Sequence, residues 1–352
     1  MAVLLTSITG IISFQPDPKI MKAALFREKD TPLLIADVPG PIPAKDQVLI
    51  RIDTAALNHR DLWIQREQAA PLSSPVILGS DASGIVEAVG EGAENWVGKE
   101  VIVNPSIDWG KNPMVQSNTF KILGFPDHGT FAEYLVIHQK QLAEKPEHLT
   151  MAEAAAVPLA ALTAYRALFT KARLRPGERI LVTGIGGGAA LWALTMAHAF
   201  GAMVYVTSSQ EDKRNKALAL GAKGAVDYSD NRWPDQLRSL VGAFDVIIDS
   251  AGGSSFGALV DLAAPGGRIV NFGRTAGNIS EVTTRTLYWN QISILGTTMG
   301  TTDEFLSMLD FLHRHRIKPV IDRSFPLAEI NAAFAHMEHR EQFGKILLTV
   351  RS

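Results

Sequence analysis

Arg179-Ile180-Leu181-Val182-Thr183-Gly184-Ile185-Gly186-Gly187-Gly188-Ala189-Ala190 decides the fold. It starts as a short apolar strand and turns through glycines. It then enters Leu191-Trp192-Ala193-Leu194-Thr195-Met196-Ala197-His198-Ala199-Phe200, an apolar run that Gly201 can end as a helix C′ residue. A strand, a glycine turn and a helix start in that order can hold a pyrophosphate. Glycines let the backbone come close, and the unpaired N–H groups of the helix start carry partial positive charge. Two spacings fit, Gly184-x-x-Gly187-x-x-Ala190 and Gly184-x-Gly186-x-x-Ala189. Glycine spacing alone is a weak signal, and the flanking strand and helix strengthen it.

Downstream, strands are expected near 180–183, 203–207, 225–227, 244–249, 268–272 and 292–296, with helices near 189–200, 210–220, 233–241 and 254–263. Gly201, Gly221, Gly242 and Pro265-Gly266-Gly267 mark helix ends. Apolar strands alternating with helices imply an α/β fold with a doubly wound parallel sheet, and the dinucleotide would cross the carboxyl ends of its strands. Where the second strand ends, an NAD-binding chain usually places Asp or Glu, about 20 residues past the turn, to bond the ribose hydroxyls. Here Val204-Tyr205-Val206-Thr207 runs into Ser208-Ser209-Gln210, and Glu211 and Asp212 come only inside the following helix, ahead of Lys213 and Arg214. Hydroxyls and cations suit a 2′-phosphate, so NADPH is expected over NADH.

Upstream, residues 21–149 read mostly as strands, including 47–57, 82–89, 100–103 and 131–137, broken by prolines and glycines. They suggest a compact β-barrel or sandwich. Residues 64–75 and 104–128 lack periodicity and read as loops. The capping box Thr150-Met151-Ala152-Glu153 opens an alanine-rich helix interrupted at Pro158. Residues 1–20 read as an N-terminal extension without a positive n-region.

The 352-residue chain is long enough for two cores and carries a net charge of −2 without a basic run, which sets nucleic acid aside. No apolar stretch reaches the roughly 18 residues of a membrane span, so no membrane is expected. The chain has no cysteine, which removes disulfides and thiolate sites and fits a cytoplasmic protein. His313, His315, His336 and His339 lie in charged helical stretches and read as surface residues.

Six separated pieces resemble the medium-chain dehydrogenase/reductase superfamily: Asn58-His59-Arg60-Asp61-Leu62-Trp63, Leu78-Gly79-Ser80-Asp81-Ala82-Ser83-Gly84, Ala155-Ala156-Val157-Pro158-Leu159, Gly184 to Ala190, Ile294 to Gly300 and Phe343-Gly344-Lys345-Ile346. The resemblance implies an N-terminal chaperonin-like β-barrel domain (21–151 and 300–352) and a Rossmann domain (152–299), with the active site between them. Where many members place catalytic zinc ligands, this chain has Asn58, Ser80 and, less securely aligned, Leu159, so no metal is expected. It is therefore similar to the zinc-free, quinone-oxidoreductase-like branch, which implies hydride transfer from NADPH to a quinone, enone or other activated carbonyl.

The resemblance also implies roles. Asn58 and Asp61 line the cleft, with Asn58 a donor to the acceptor oxygen. His59 or Arg60 would supply charge or a proton, although His59 reads equally as a plain polar residue. Thr163 would lie near the nicotinamide, and Trp63 and Met299 would form apolar walls. Gly184, Gly186, Gly187, Gly188, Ala189 and Ala190 would hold the pyrophosphate. Ser208, Lys213 and Tyr228 would hold the 2′-phosphate, and Ala251, Phe272, Gly273 and Lys345 would face the cofactor. Ala190 departs from the usual glycine, and Ile185 is bulkier than the usual alanine. Relatives pair through the edge strand, here Ile292-Ser293-Ile294-Leu295, so a homodimer is expected. An alcohol dehydrogenase or aldehyde reductase, or a non-catalytic NADPH-binding protein, are the alternatives.

Overall fold

The computed structural model describes residues 19–68 and 74–350, so all of the expected extension except Lys19 and Ile20 lies outside the described residues. The glycine stretch does what its composition dictates. Arg179–Val182 is a strand whose last three residues are buried, and Gly188–Ala199 is the helix that follows. Six parallel strands form one sheet in the order Gly224–Val226, Met203–Thr207, Arg179–Val182, Phe244–Asp249, Ala263–Asn271, Ser293–Gly296. The order reverses at the glycine strand, and that switch point is where such sheets open a crevice for ligands. Helices Glu211–Ala219, Trp233–Val241 and Phe256–Leu262 supply the crossovers.

The first part is a β-structure built on the long strand Gln47–Ala56, which alternates buried and half-buried residues before ending fully buried. It pairs with Asp81–Val89, Tyr134–His138 and Lys345–Thr349, and Lys345–Thr349 pairs onward with Ile321–Pro326. The chain's last strand thus lies beside one of its first. Helix Thr302–His315 instead packs its buried face, including Phe305, Met308 and Leu312, into the same core as the glycine-turn helix.

One feature differs from the sequence reading. Residues 64–67, expected as loop, belong to the helix His59–Glu67. Its apolar content is too slight to signal itself, and its start is set by Asn58 and Asp61: Asn58 N donates to Asp61 Oδ2 at 2.8 Å. Residues 104–128 are mostly irregular, with one short pairing of Ser106–Ile107 and Lys121–Ile122.

At the sheet's carboxyl edge, Asp249 joins three neighbouring strands. Thr183 Oγ1 (2.7 Å) and Ala251 N (3.2 Å) donate to its Oδ1, and Asn271 Nδ2 (2.7 Å) and Gly252 N (2.9 Å) to its Oδ2. Removing that carboxylate leaves four donors without their acceptor. Asp249→Ala is expected to lower stability by about 2–4 kcal/mol, read as a fall in urea midpoint; an unchanged midpoint would contradict this account.

Candidate active site

The crevice holds the glycine turn on one side and the start of helix His59–Glu67 on the other. Gly184 and Gly186 have φ of +63° and +136°, values that other residues rarely adopt. A side chain at Gly186 would lie 3.0 Å from Lys213 Cδ, and one at Gly188 would lie 2.7 Å from Lys345 Cδ. The N–H groups of Gly188, Ala189 and Ala190 fall in the first helical turn and have no intrahelical acceptor. A cradle narrowed to backbone beside unpaired donors fits a dinucleotide diphosphate. Ile185 and Ala190, the two departures from the usual pattern, are both buried and packed without disturbing the turn.

At the tip of the second strand, Ser208 is buried and Tyr228 is exposed, its hydroxyl accepting from Ser209 Oγ at 3.3 Å. Burial lowers the pKa of Lys213, with Asp322 opposing. Lys213 Nζ donates to Arg340 O at 2.7 Å, which brings residue 340 to this corner. Arg340 is a cation that the sequence reading missed. It is far away in the chain, and only the fold carries it there.

The segment after it is fixed by a histidine. His336 is buried, which corrects its reading as a surface residue; its helix faces the barrel core. His336 Nε2 lies 2.8 Å from Asp322 Oδ2 and Nδ1 lies 3.1 Å from Glu341 Oε2, while Phe343 N donates to Asp322 Oδ1.

Asn58, Asp81 and Lys345 form one buried cluster. Lys345 Nζ donates to Leu57 O (2.7 Å), Asn58 Oδ1 (2.8 Å) and Asp81 Oδ2 (2.9 Å). Asn58 Nδ2 donates to Asp81 Oδ2 (2.9 Å) and Leu159 N donates to Asp81 Oδ1 (2.8 Å). All three donors of Lys345 are therefore used here, and only its stem lies against the glycine turn. Asp61 is buried with Oδ1 unpartnered, and desolvation raises its pKa to about 6. His59 approaches the turn, its Cε1 lying 3.8 Å from where a side chain on Gly187 would begin. Burial, then Lys345, Arg340 and Lys213, lower its pKa to about 4, so it is neutral at pH 7.

Arg60 does not join this cluster. Its guanidinium donates to Phe125 O (2.9 Å), Ile122 O (3.3 Å) and Leu123 O (3.4 Å), tying down the irregular lobe. Trp63 lies under Arg274, 5.6 Å from ring centroid to guanidinium carbon. Thr163 and Met299 are buried, with Thr163 Oγ1 donating to Leu159 O. Ala251, Phe272 and Gly273 stand at the ends of the fourth and fifth sheet strands; a side chain on Gly273 would strike Ser250 O at 2.3 Å.

Zinc does not fit the donors present. Position 58 offers a carboxamide already bound to Lys345 and Asp81, Ser80 Oγ donates to Leu123 O at 2.7 Å, and Leu159 offers no ligand atom. Among the described residues, no three His, Cys, Asp or Glu side chains converge.

Comparisons with known proteins agree with this architecture. Residues 44–147 match the alcohol dehydrogenase GroES-like domain, and residues 174–314 match the family described as zinc-binding dehydrogenase. A zinc-type alcohol dehydrogenase-like protein, YogA, from Leptosphaeria maculans is 36% identical over 91% of this chain and 95% of its own. Human quinone oxidoreductase is 28% identical over 94% of this chain and 98% of its own. A crystal structure of an NAD-dependent alcohol dehydrogenase superposes with a TM-score of 0.89 at 37% identity, covering 94% of this chain and 100% of that one. A variant of the crotonyl-CoA carboxylase/reductase AntE, solved in complex with NADP, superposes with a TM-score of 0.85 at 25% identity, covering 95% of each chain. The fold and the crevice define a two-part, dinucleotide-type dehydrogenase. The chain belongs to the medium-chain dehydrogenase/reductase superfamily and is an oxidoreductase of that superfamily.

Two outcomes test this geometry. Gly186→Val is expected to weaken dinucleotide binding at least tenfold by fluorescence titration, since it strains the turn and pushes on Lys213; wild-type affinity would refute the cradle. The second concerns pH. His59, lowered from 6.5 to about 4, adds stability as pH rises through that interval. Asp61, raised from 3.8 to about 6, removes stability as pH rises through its own. The two oppose each other in wild type. Asp61→Asn leaves only the histidine contribution, so its urea midpoint gains on wild type between pH 4 and 6. Parallel pH profiles would contradict the assignment.

Proposed function

We propose that this protein reduces quinones, enones or related activated carbonyls with NADPH, without a metal. The observation that carries the reading is the donor set at the crevice. A carboxamide, an engaged serine and a leucine stand where a zinc site would need thiolate, imidazole or carboxylate. Without a metal to polarise it, a simple alcohol or aldehyde is a poor substrate, whereas a conjugated acceptor is already electrophilic. Positioning and hydrogen bonding then suffice.

A bound nicotinamide would supply the hydride. The chain's own residues hold and orient: the glycine turn takes the diphosphate, and Asn58 donates to the acceptor oxygen. Neutral His59 and the buried Asp61 shape the crevice, and solvent can provide the proton. Ser208, Lys213, Tyr228 and Arg340 favour a 2′-phosphate, since the second strand ends without a carboxylate. One superposing structure is of an NAD-dependent alcohol dehydrogenase and another is a complex with NADP, so the choice of nucleotide is read from these side chains.

The likeness to alcohol dehydrogenases favours a second reading, oxidation of simple alcohols, and a zinc-supplemented assay with primary alcohols separates it. We also propose a homodimer through the edge strand Ser293–Gly296. Ile294 is 38% exposed there, and Tyr288 and Trp289 nearby are 63% and 73% exposed.

NADPH absorbance followed with 1,4-naphthoquinone, trans-2-hexenal and benzaldehyde is expected to show turnover with the first two and at least tenfold higher kcat/KM than with NADH. Lys213→Ala with Arg340→Ala should narrow that nucleotide ratio. No NADPH oxidation with either conjugated acceptor would sink the reading. Light scattering should give twice the chain mass, and Ile294→Arg should halve it.

A further inference from the structure

The geometry points to Lys345 and Asp81 as an internal ion pair that fixes and polarises the Asn58 carboxamide as donor to the acceptor's oxygen. The inference rests on the reduction proposed above and adds positioning residues to it.

Lys345 is 4% exposed and Asp81 not at all. An ammonium only donates and a carboxylate only accepts, so the pair dictates the orientation of the amide between them. Asn58 Oδ1 must face Lys345, at 2.8 Å, and Nδ2 must face Asp81, at 2.9 Å. Turning the amide over would set Nδ2 against the ammonium and Oδ1 against the carboxylate. Its orientation is therefore fixed by charge.

One N–H of Nδ2 remains. That N–H is the one assigned to the acceptor; the next residue, His59, has its ring 3.8 Å from where a side chain on Gly187 would begin, which sets Asn58 beside the glycine turn. A cation on Oδ1 draws electron density through the amide and strengthens that N–H as a donor. When a hydride reaches the acceptor's carbon, an electron pair moves from the acceptor's double bond to its oxygen. That oxygen takes the Asn58 N–H bond as its negative charge grows, then takes a proton from water. The Lys345 ammonium thus acts on the acceptor through Asn58, while Asp81 holds the amide's other N–H and keeps the pair neutral.

Two roles compete with this one. A diphosphate ligand would need a free ammonium N–H, and all three of Lys345 are used on protein oxygens. A purely stabilising role is weakly motivated, because buried ion pairs commonly contribute little over neutral replacements.

The test uses the full chain, NADPH and 1,4-naphthoquinone. Lys345→Met alone strands the Asp81 charge, so the neutral pair Asp81→Asn with Lys345→Met is made as well. The neutral pair is expected to keep NADPH affinity within about threefold by fluorescence titration and to lose at least tenfold in kcat. Asn58→Ala is expected to lose about 100-fold in kcat, and adding the neutral pair to it should cost nothing more. A tenfold loss of NADPH affinity with kcat retained would overturn the inference in favour of a phosphate ligand. Independent, multiplying losses in the Asn58 combination would also overturn it. Absence of wild-type turnover would instead overturn the proposed reduction and the inference with it, so the two failures are read from different proteins.

Discussion

Everything in the crevice depends on how closely the segment after residue 340 approaches the glycine turn. Gly344 N donates to Gly186 O at 3.0 Å, joining two backbones from opposite halves of the molecule. Both residues have φ values that favour glycine, +130° and +136°, and a side chain on Gly344 would lie 2.5 Å from Val320 O. The strand Lys345–Thr349 then enters the barrel sheet beside Gln47–Ala56, and the same few residues bring Lys345 under the glycine-turn helix and Arg340 beside Lys213. The His336 contacts to Asp322 and Glu341, with the Phe343 bond to Asp322, keep this segment in place from behind. One backbone contact thus sets the width of the crevice and the position of its cations.

The sequence carried much of this, and unevenly. The parallel sheet was legible because its central strands are short apolar runs, a pattern that burial on both faces imposes. The strands and helices expected there are found within a few residues, apart from Ala263–Asn271, which starts earlier than 268–272, and one helix, Thr284–Trp289, was not expected. The helix His59–Glu67 was hidden because its core-facing residues are polar: Asp61 and Gln65 are its buried positions. The lobe at 104–128 resists reading for another reason. Its order comes from partners distant in sequence, such as Arg60 bonding Phe125 O and Ser106 Oγ bonding Gly300 O.

The site was legible by residue and less so by arrangement. Asn58 and the glycines were picked out by spacing and resemblance, and the structure gathers them at one crevice. What spacing could not convey is which side chains neutralise each other. Lys345 reads as a cation beside the cofactor, and only the fold reveals that its ammonium is spent on Leu57, Asn58 and Asp81. His336 was misplaced on the surface because its neighbours in sequence are charged. One of those charges, Glu341, turns back to hold it.

The density of buried charge around Asn58 argues against a merely structural crevice. Asp61 and Asp81 are fully buried within a few residues of the barrel's longest strand, and Asp61 keeps one oxygen without a partner. A fold selected for stability alone would gain by replacing such groups with apolar side chains of similar size. Burial instead works against the charge of Asp61 and of His59, in opposite senses. Groups whose charge is held back in this way, beside the glycine turn, are of the kind that gather at functional sites.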